Sequence, residues 1–207
     1  MYRVSAVKKC LLLSLMLVAR ATGAVTLDEV EKRFAASPVV RANFEQERQI
    51  KGTTQPLHSS GKLLIAKNKG LWWQQRQPFP MRLIVDGGHM VQVMGSQPPQ
   101  PITGESNPQM FHFNQLLRTL FHIDRKVLEK SFISEFTDLG QGRWRLVLIP
   151  ADEPLNKLFR SVTLQGEKYI DRIELNDVEE DYTEISFTHY QPEPRKLTHE
   201  ERKRFAY

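Results

Sequence analysis

Hydrophobic and polar positions change period several times along the chain, and each change marks an element. In "TLDEVEKRFAAS", Leu27, Val30 and Phe34 recur at helical spacing. Thr26 and Glu29 stand in capping-box spacing before them, so a helix is expected from about Leu27 to Ala36, with Pro38 ending it. From Val39 the period becomes two. In "VVRANFEQERQI", Val40, Ala42 and Phe44 face one way and Arg41, Asn43 and Glu45 the other, as in a strand with one dry and one wet face. "LHSSGKLLIA", "GLWWQQ" and "MRLIVDGGHMVQVM" continue the theme, with Asp86-Gly87-Gly88 supplying a hairpin turn.

The stretch from Ser96 to Gln109, "SQPPQPITGESNPQ", carries too many breakers for regular structure and is expected to be a loop. "MFHFNQLLRTLF" then returns to helical spacing through Met110, Phe113, Leu116, Leu117, Leu120 and Phe121. This is an unusually apolar helix within an otherwise β chain. Strands resume with "FISEFTDLG" and "RWRLVLIPA" across a "GQGR" turn, then "FRSVTLQG", "YIDRIELNDVEED" and "YTEISFTHYQP". The charged tail "EPRKLTHEERKRFAY" is expected to be loose or to form a short helical end.

Antiparallel strands with frequent turns predict a mainly β (α+β) chain, arranged as a sandwich, barrel or half-barrel with helices covering part of it. Trp72 and Trp73 are neighbours, so they point to opposite faces: one lines the interior and the other packs elsewhere. The remaining large aromatics, Phe44, Phe111, Phe113, Phe121, Phe132 and Trp144 among them, are individually ordinary core residues. Taken together with an apolar helix on a Pro-rich loop, they outline a lined apolar cavity suited to acyl chains, with a lid that lets ligand in and out.

The N-terminus alters the charge argument. Arg3, Lys8 and Lys9 precede the short apolar run Cys10–Ala19, and small residues follow at Ala21–Ala24. That is the pattern of a secretory signal peptide over residues 1–24, too short to span a bilayer. Cys10 begins the apolar run rather than following it, which excludes a lipid-modified cysteine. Residues 25–207 then form a single domain. The whole chain has 29 Lys+Arg and 24 Asp+Glu; removing Arg3, Lys8, Lys9 and Arg20 leaves 25 against 24, a net +1. A nucleic-acid partner argued from net charge disappears with the leader. The only cysteine leaves too, so the mature chain has neither disulfide nor thiol chemistry.

Catalytic constellations are absent from the pattern. The six histidines are scattered without metal-ligand spacing, and no G-x-S-x-G or Gly-rich phosphate cradle occurs. The acids of "DVEEDY" (Asp177–Tyr182) lack the spacing of a calcium loop and fit a solvated hairpin turn. No metal, no cofactor and no enzymatic activity are expected.

The segment "VVRANFEQER…SSGKLLIAKNKGLWWQQRQPFPMRLIVDGG" resembles the LolA-type outer-membrane lipoprotein carriers. The matching residues are Phe44 and Gln46, Gly61 and Leu63, Lys67, Leu71 and Trp73, Pro78 or Pro80, and Asp86-Gly87. The order of strands and turns after Trp144 also follows the family, so the resemblance covers most of residues 26–190. It implies an incomplete antiparallel β-barrel with helices lidding an apolar cavity. The implied function is a monomeric periplasmic carrier of acylated lipoprotein or lipid cargo, passing it from an inner-membrane transporter to an outer-membrane receptor. The expected cavity lining is Phe44, Leu63, Ile65, Trp73, Leu83, Val85, Leu116 and Leu120, with Lys67 near the lid. Two departures mark a divergent member: Lys67 stands where the carriers place an arginine, and "KLTHEERKRFAY" replaces their C-terminal aromatic-Pro segment.

Two other readings stay open on the residues. One is a lipid-binding sensor or regulatory module of the same fold. The other is a small periplasmic hydrolase, for which His58 with Ser59 or Ser60 are the available candidates.

Overall fold

The computed structural model describes residues 24–86, 88–121 and 125–206. The leader assigned to residues 1–24 lies, but for Ala24, outside the described residues, as does Gly87 of the predicted hairpin turn. Helix α1 spans Leu27–Ala35, and both arms of its capping box form: the Thr26 hydroxyl accepts from the Glu29 N–H at 3.3 Å, and Glu29 Oε2 accepts from the Thr26 N–H at 3.1 Å.

Strands β1 (Val39–Gln49), β2 (Leu57–Ala66), β3 (Gly70–Gln77), β4 (Met81–Asp86), β5 (His89–Met94) and the two-residue β6 (Gln100–Pro101) follow in a meander. The polypeptide then crosses the sheet through α2 (Pro108–Leu120) and α3 (Arg125–Ser131). It returns through β7 (Phe132–Gly140), β8 (Arg143–Pro150), β9 (Phe159–Gly166), β10 (Ile170–Asp177) and β11 (Tyr182–Thr188). A short helix, α4 (His199–Lys203), ends the chain. The eleven strands make one antiparallel sheet in the order β6-β5-β4-β3-β2-β1-β11-β10-β9-β8-β7. β6 and β7 remain unpaired edges, so the barrel is open, a half-barrel.

Period-two alternation puts a large apolar set on the concave face. Phe44, Leu63, Ile65, Leu71, Val85, Ile173 and Ile185 are buried there under α1 and α2. Gly61 serves the pairing of β2 with β3 beside a register shift: a Cβ there would lie 1.8 Å from the Gln74 carbonyl oxygen.

Two expectations change. The Pro-rich loop contributes the β6 pairing, with Gln92 opposite Gln100 and Val91 opposite Pro101. Helix α3 was not expected. The tail takes the expected short helical end rather than the loose one, and it is docked as a strap on the convex face. Arg41, on the outward side of β1, makes two hydrogen bonds to the Glu201 carboxylate at 2.5 and 2.8 Å. The same guanidinium donates to the carbonyls of Pro194 (2.8 Å) and Lys196 (3.2 Å). A second capping box, Thr198 with Glu201, starts α4. Phe205 then closes an outer cluster of Val39, Leu64, Ala66, Trp72 and Ile84. The tail's sequence looks solvated because its partners lie about 160 positions away and on the outward row of β1.

Candidate functional site

On β1, β3 and β10 the inward-facing row turns from apolar to polar toward the same end of the sheet. Along β1 it runs Val40, Ala42, Phe44, Gln46, Arg48; along β3, Leu71, Trp73, Gln75; along β10, Ile173, Leu175, Asp177. Register aligns these changes, with Gln46 opposite Ile185, Arg48 opposite Thr183 and Gln75 opposite Met81. A cavity of about 320 Å³ opens where they meet, between the sheet and the first two turns of α2.

Its inner wall is apolar: Trp73, Leu83, Met110, Phe113, Phe159 and Leu175. Trp73 is braced by Phe44, with ring centroids 3.7 Å apart and planes at 28°, and Phe113 packs on Phe159 at 6.4 Å. The first turn of α2 closes the rim. Asn107 caps the helix by accepting from the Met110 N–H at 3.0 Å. The side chain of Gln109 donates to Asp177 and accepts weakly from Arg48 Nη2 at 3.4 Å. Arg48 also pairs with Asp181 at 2.8 Å. The Lys51 backbone N–H and the Arg48 guanidinium hold the Asp181 carboxyl below the usual carboxylate range. Arg48 Nε is buried and finds no hydrogen-bond partner among the described residues.

Of the expected lining, Trp73 and Leu83 reach this cavity. Phe44 lies behind Trp73. Leu63, Ile65, Val85, Leu116 and Leu120 are at most 5% exposed, packed together in the concave core under the helices rather than on the cavity wall. Lys67 sits elsewhere: it is exposed in the β2–β3 turn, its backbone N–H bonded to the Pro38 carbonyl at 3.0 Å. That turn is at the opposite end of the strands from the cavity mouth, so Lys67 does not touch the helix closing it. The lining residues not anticipated include Gln46, Arg48, Met81, Gln109, Phe159 and Asp177. The signal for the strand residues was the parity itself, since Gln46 and Arg48 extend the row begun by Val40. The acidic turn is also less solvated than expected: Asp177 is buried, and its Oδ1 accepts from the Glu179 N–H at 2.9 Å.

His58 lies on the outside, 3.7 Å from Glu47, and makes no hydrogen bond to Ser59 or Ser60 among the described residues. Among those residues no group of three or more His, Cys, Asp or Glu is arranged to hold a metal, and no helix is long and apolar enough to cross a membrane.

Three of the solved structures similar to this chain illustrate the comparison. A LolA superfamily protein, NE2245 from Nitrosomonas europaea, is 12% identical with a TM-score of 0.47, over 86% of this chain and 97% of its own. A DUF1329 family protein from Desulfovibrio piger is 12% identical with a TM-score of 0.48, over 86% and 93%. A putative outer membrane lipoprotein-sorting protein domain from Vibrio parahaemolyticus is 11% identical with a TM-score of 0.45, over 84% and 92%. No curated protein sequence matches the chain. The family model described as "Outer membrane lipoprotein carrier protein LolA" matches residues 36–198, most of the chain. The chain belongs to the LolA outer-membrane lipoprotein carrier family.

Proposed function

We propose that this protein is a non-enzymatic periplasmic carrier that takes the acyl chain of a lipid or lipoprotein into the cavity beneath α2. On this reading it is exported by a cleaved leader, receives cargo from an inner-membrane transporter and delivers it toward an outer-membrane receptor. The observation that carries the reading is the cavity's polarity: an apolar inner wall leading to a polar rim at one end of the half-barrel. An acyl chain leaves water for the wall around Trp73 and Phe113, at about 25 cal/mol per Å² of apolar surface buried. Its polar end stays at the rim, near Gln46 and Arg48.

Size limits the cargo of this closed form. About 320 Å³ is at the lower end of the roughly 300–1,000 Å³ usual for ligand pockets, which suits one chain rather than several. Larger cargo requires α2 to move. Its second half is firmly anchored, because Leu116, Leu117, Leu120 and Phe121 are 0–5% exposed. Exposing all four costs about 6–12 kcal/mol as an upper bound, at roughly 1.5–3 kcal/mol each. The first half, with Met110 and Phe113 only partly buried, opens more cheaply. Entry therefore proceeds by lifting the Gln109 end.

Native mass spectrometry of the mature protein, extracted gently from a periplasm, tests the reading. A bound acylated species is expected, and its mass separates a lipoprotein from a free lipid. Folded protein that carries no such species and takes up no fluorescent apolar probe refutes it.

A further inference from the structure

The convex face of the sheet takes no part in the cavity, and its charges are unevenly distributed. One row runs Asn43, Lys62, Gln74, Arg82 across β1–β4, each residue opposite the next in register. Lys62 and Arg82 are two strands apart, about 10 Å. Beside this row the strap lays Arg204 over the Trp72 ring, 4.8 Å from its centroid. Arg202 and Lys203 are exposed on α4. Lys62, Arg82, Arg202 and Arg204 form no ion pair among the described residues.

The carboxylates on this half are already engaged. Glu201 is held by Arg41, Asp86 by Lys69 at 2.5 Å and Glu200 by Lys203 at 2.9 Å, while Glu193 accepts from the Arg195 N–H at 3.0 Å. Lys62 and Arg204 also flank a shallow groove of about 120 Å³ whose polar lining is completed by Asn43, His189, Gln191 and the mutually paired Arg41 and Glu201. The other half of the same face is mixed, with an acidic run through it. Glu47, Glu184 and Glu174 stand side by side across β1, β11 and β10, with Glu45 one step along; Arg172 and His58 lie against them, and Arg143 and Arg145 are exposed on the outward row of β8 beyond.

We propose that the Lys62–Arg82–Arg204 surface docks the protein on an anionic phospholipid bilayer, with one headgroup phosphate seated in the groove between Lys62 and Arg204. Charge complementarity supports a bilayer over a protein partner. Protein interfaces depend on desolvated aromatic and aliphatic anchors. Here the large apolar side chains of the face, Leu64, Trp72, Ile84 and Phe205, are at most 5% exposed beneath the strap. None of the exposed large apolar residues, such as Leu57, Phe79 or Ile133, belongs to the patch. What remains outside is an array of long cationic side chains, which suits a diffuse layer of phosphates. The Glu47–Glu184–Glu174 run turns away from the same bilayer and so favours one orientation. The cavity opens on the concave side and stays unobstructed, so docking and cargo uptake are separable.

The test is flotation of the mature protein with vesicles of phosphatidylcholine alone and of phosphatidylcholine with phosphatidylglycerol, at low and high salt. Binding to the anionic vesicles alone is expected, and it weakens as salt shortens the screening length. The triple variant Lys62→Glu, Arg82→Glu, Arg204→Glu lowers that partitioning by about a hundredfold or more, at roughly fivefold for each cation lost. Glu47→Lys with Glu184→Lys, on the other half, does not weaken it. Circular dichroism confirms that each variant is folded, and apolar-probe uptake reads the cavity independently. If reversing only Lys62 and Arg82, which leaves the strap intact, has no effect on binding, the proposal fails. It fails equally if neutral vesicles bind as well as anionic ones, if neither binds, or if sedimentation shows that the patch instead joins two copies of the chain.

Discussion

The buried pair Arg41–Glu201 offers the sharpest perturbation of the fold. Both side chains are about 10% exposed, and their bidentate contact is the strap's polar anchor. The Arg41 hydrogen bond, followed by those from Thr198 and against the opposing cost of burial, pulls the Glu201 carboxyl down from 4.5 to about 2. At 1.36 kcal/mol per unit, that shift corresponds to about 3 kcal/mol. Because the folded pKa is depressed, this stability is fully present above about pH 4.5 and is lost as pH falls toward 2. Arg41→Met removes one partner and strands a buried carboxylate, so a loss of about 3–5 kcal/mol is expected at pH 7. Glu201→Gln spares that charge and costs less. The double change Arg41→Met with Glu201→Leu recovers most of the loss, since an apolar pair of similar volume needs no desolvated charge. Urea unfolding of the parent and the three variants at pH 7 and pH 3 ranks these losses. Single variants within about 1 kcal/mol of the parent at pH 7, or losses as large at pH 3 as at pH 7, would refute the reasoning.

Three further outcomes follow from other parts of the molecule. Phe113→Arg places a charge on the apolar wall and lowers affinity for a fluorescent apolar probe by about tenfold or more, with little change in thermal midpoint, as titration and calorimetry will show. Gly61→Ala drives a Cβ into the Gln74 carbonyl, which is backbone and cannot rotate aside; a loss of about 1–3 kcal/mol is expected in urea unfolding. Thr26→Ala removes the first capping box and costs about 1 kcal/mol by the same measurement, without altering probe affinity.

Local chemistry made much of this molecule readable from its sequence. The Thr26–Glu29 box, the switch from helical to alternating period at Val39, and the apolar spacing from Met110 to Phe121 depend on residues a few positions apart, and the elements appeared where the spacing placed them. The question of the adjacent tryptophans was also settled in outline by parity: Trp73 is on the cavity wall and Trp72 lies on the opposite face under Phe205. What parity could not supply was depth along a strand. Leu63 and Trp73 pair on one inward face, yet Leu63 lies in closed core and Trp73 at an opening, because the position of α2 decides where packing stops. The polar ends of the β1 and β3 inward rows acquired meaning only when register aligned Gln46, Arg48 and Gln75 at one rim. Tertiary structure likewise decided the fate of the tail. Glu201 is an ordinary charged residue until Arg41 meets it across the fold, and no local pattern encodes a contact between residues so distant in the chain. Short-range periodicity follows from backbone geometry and is written into neighbouring residues; cavities and straps arise where separate elements come together.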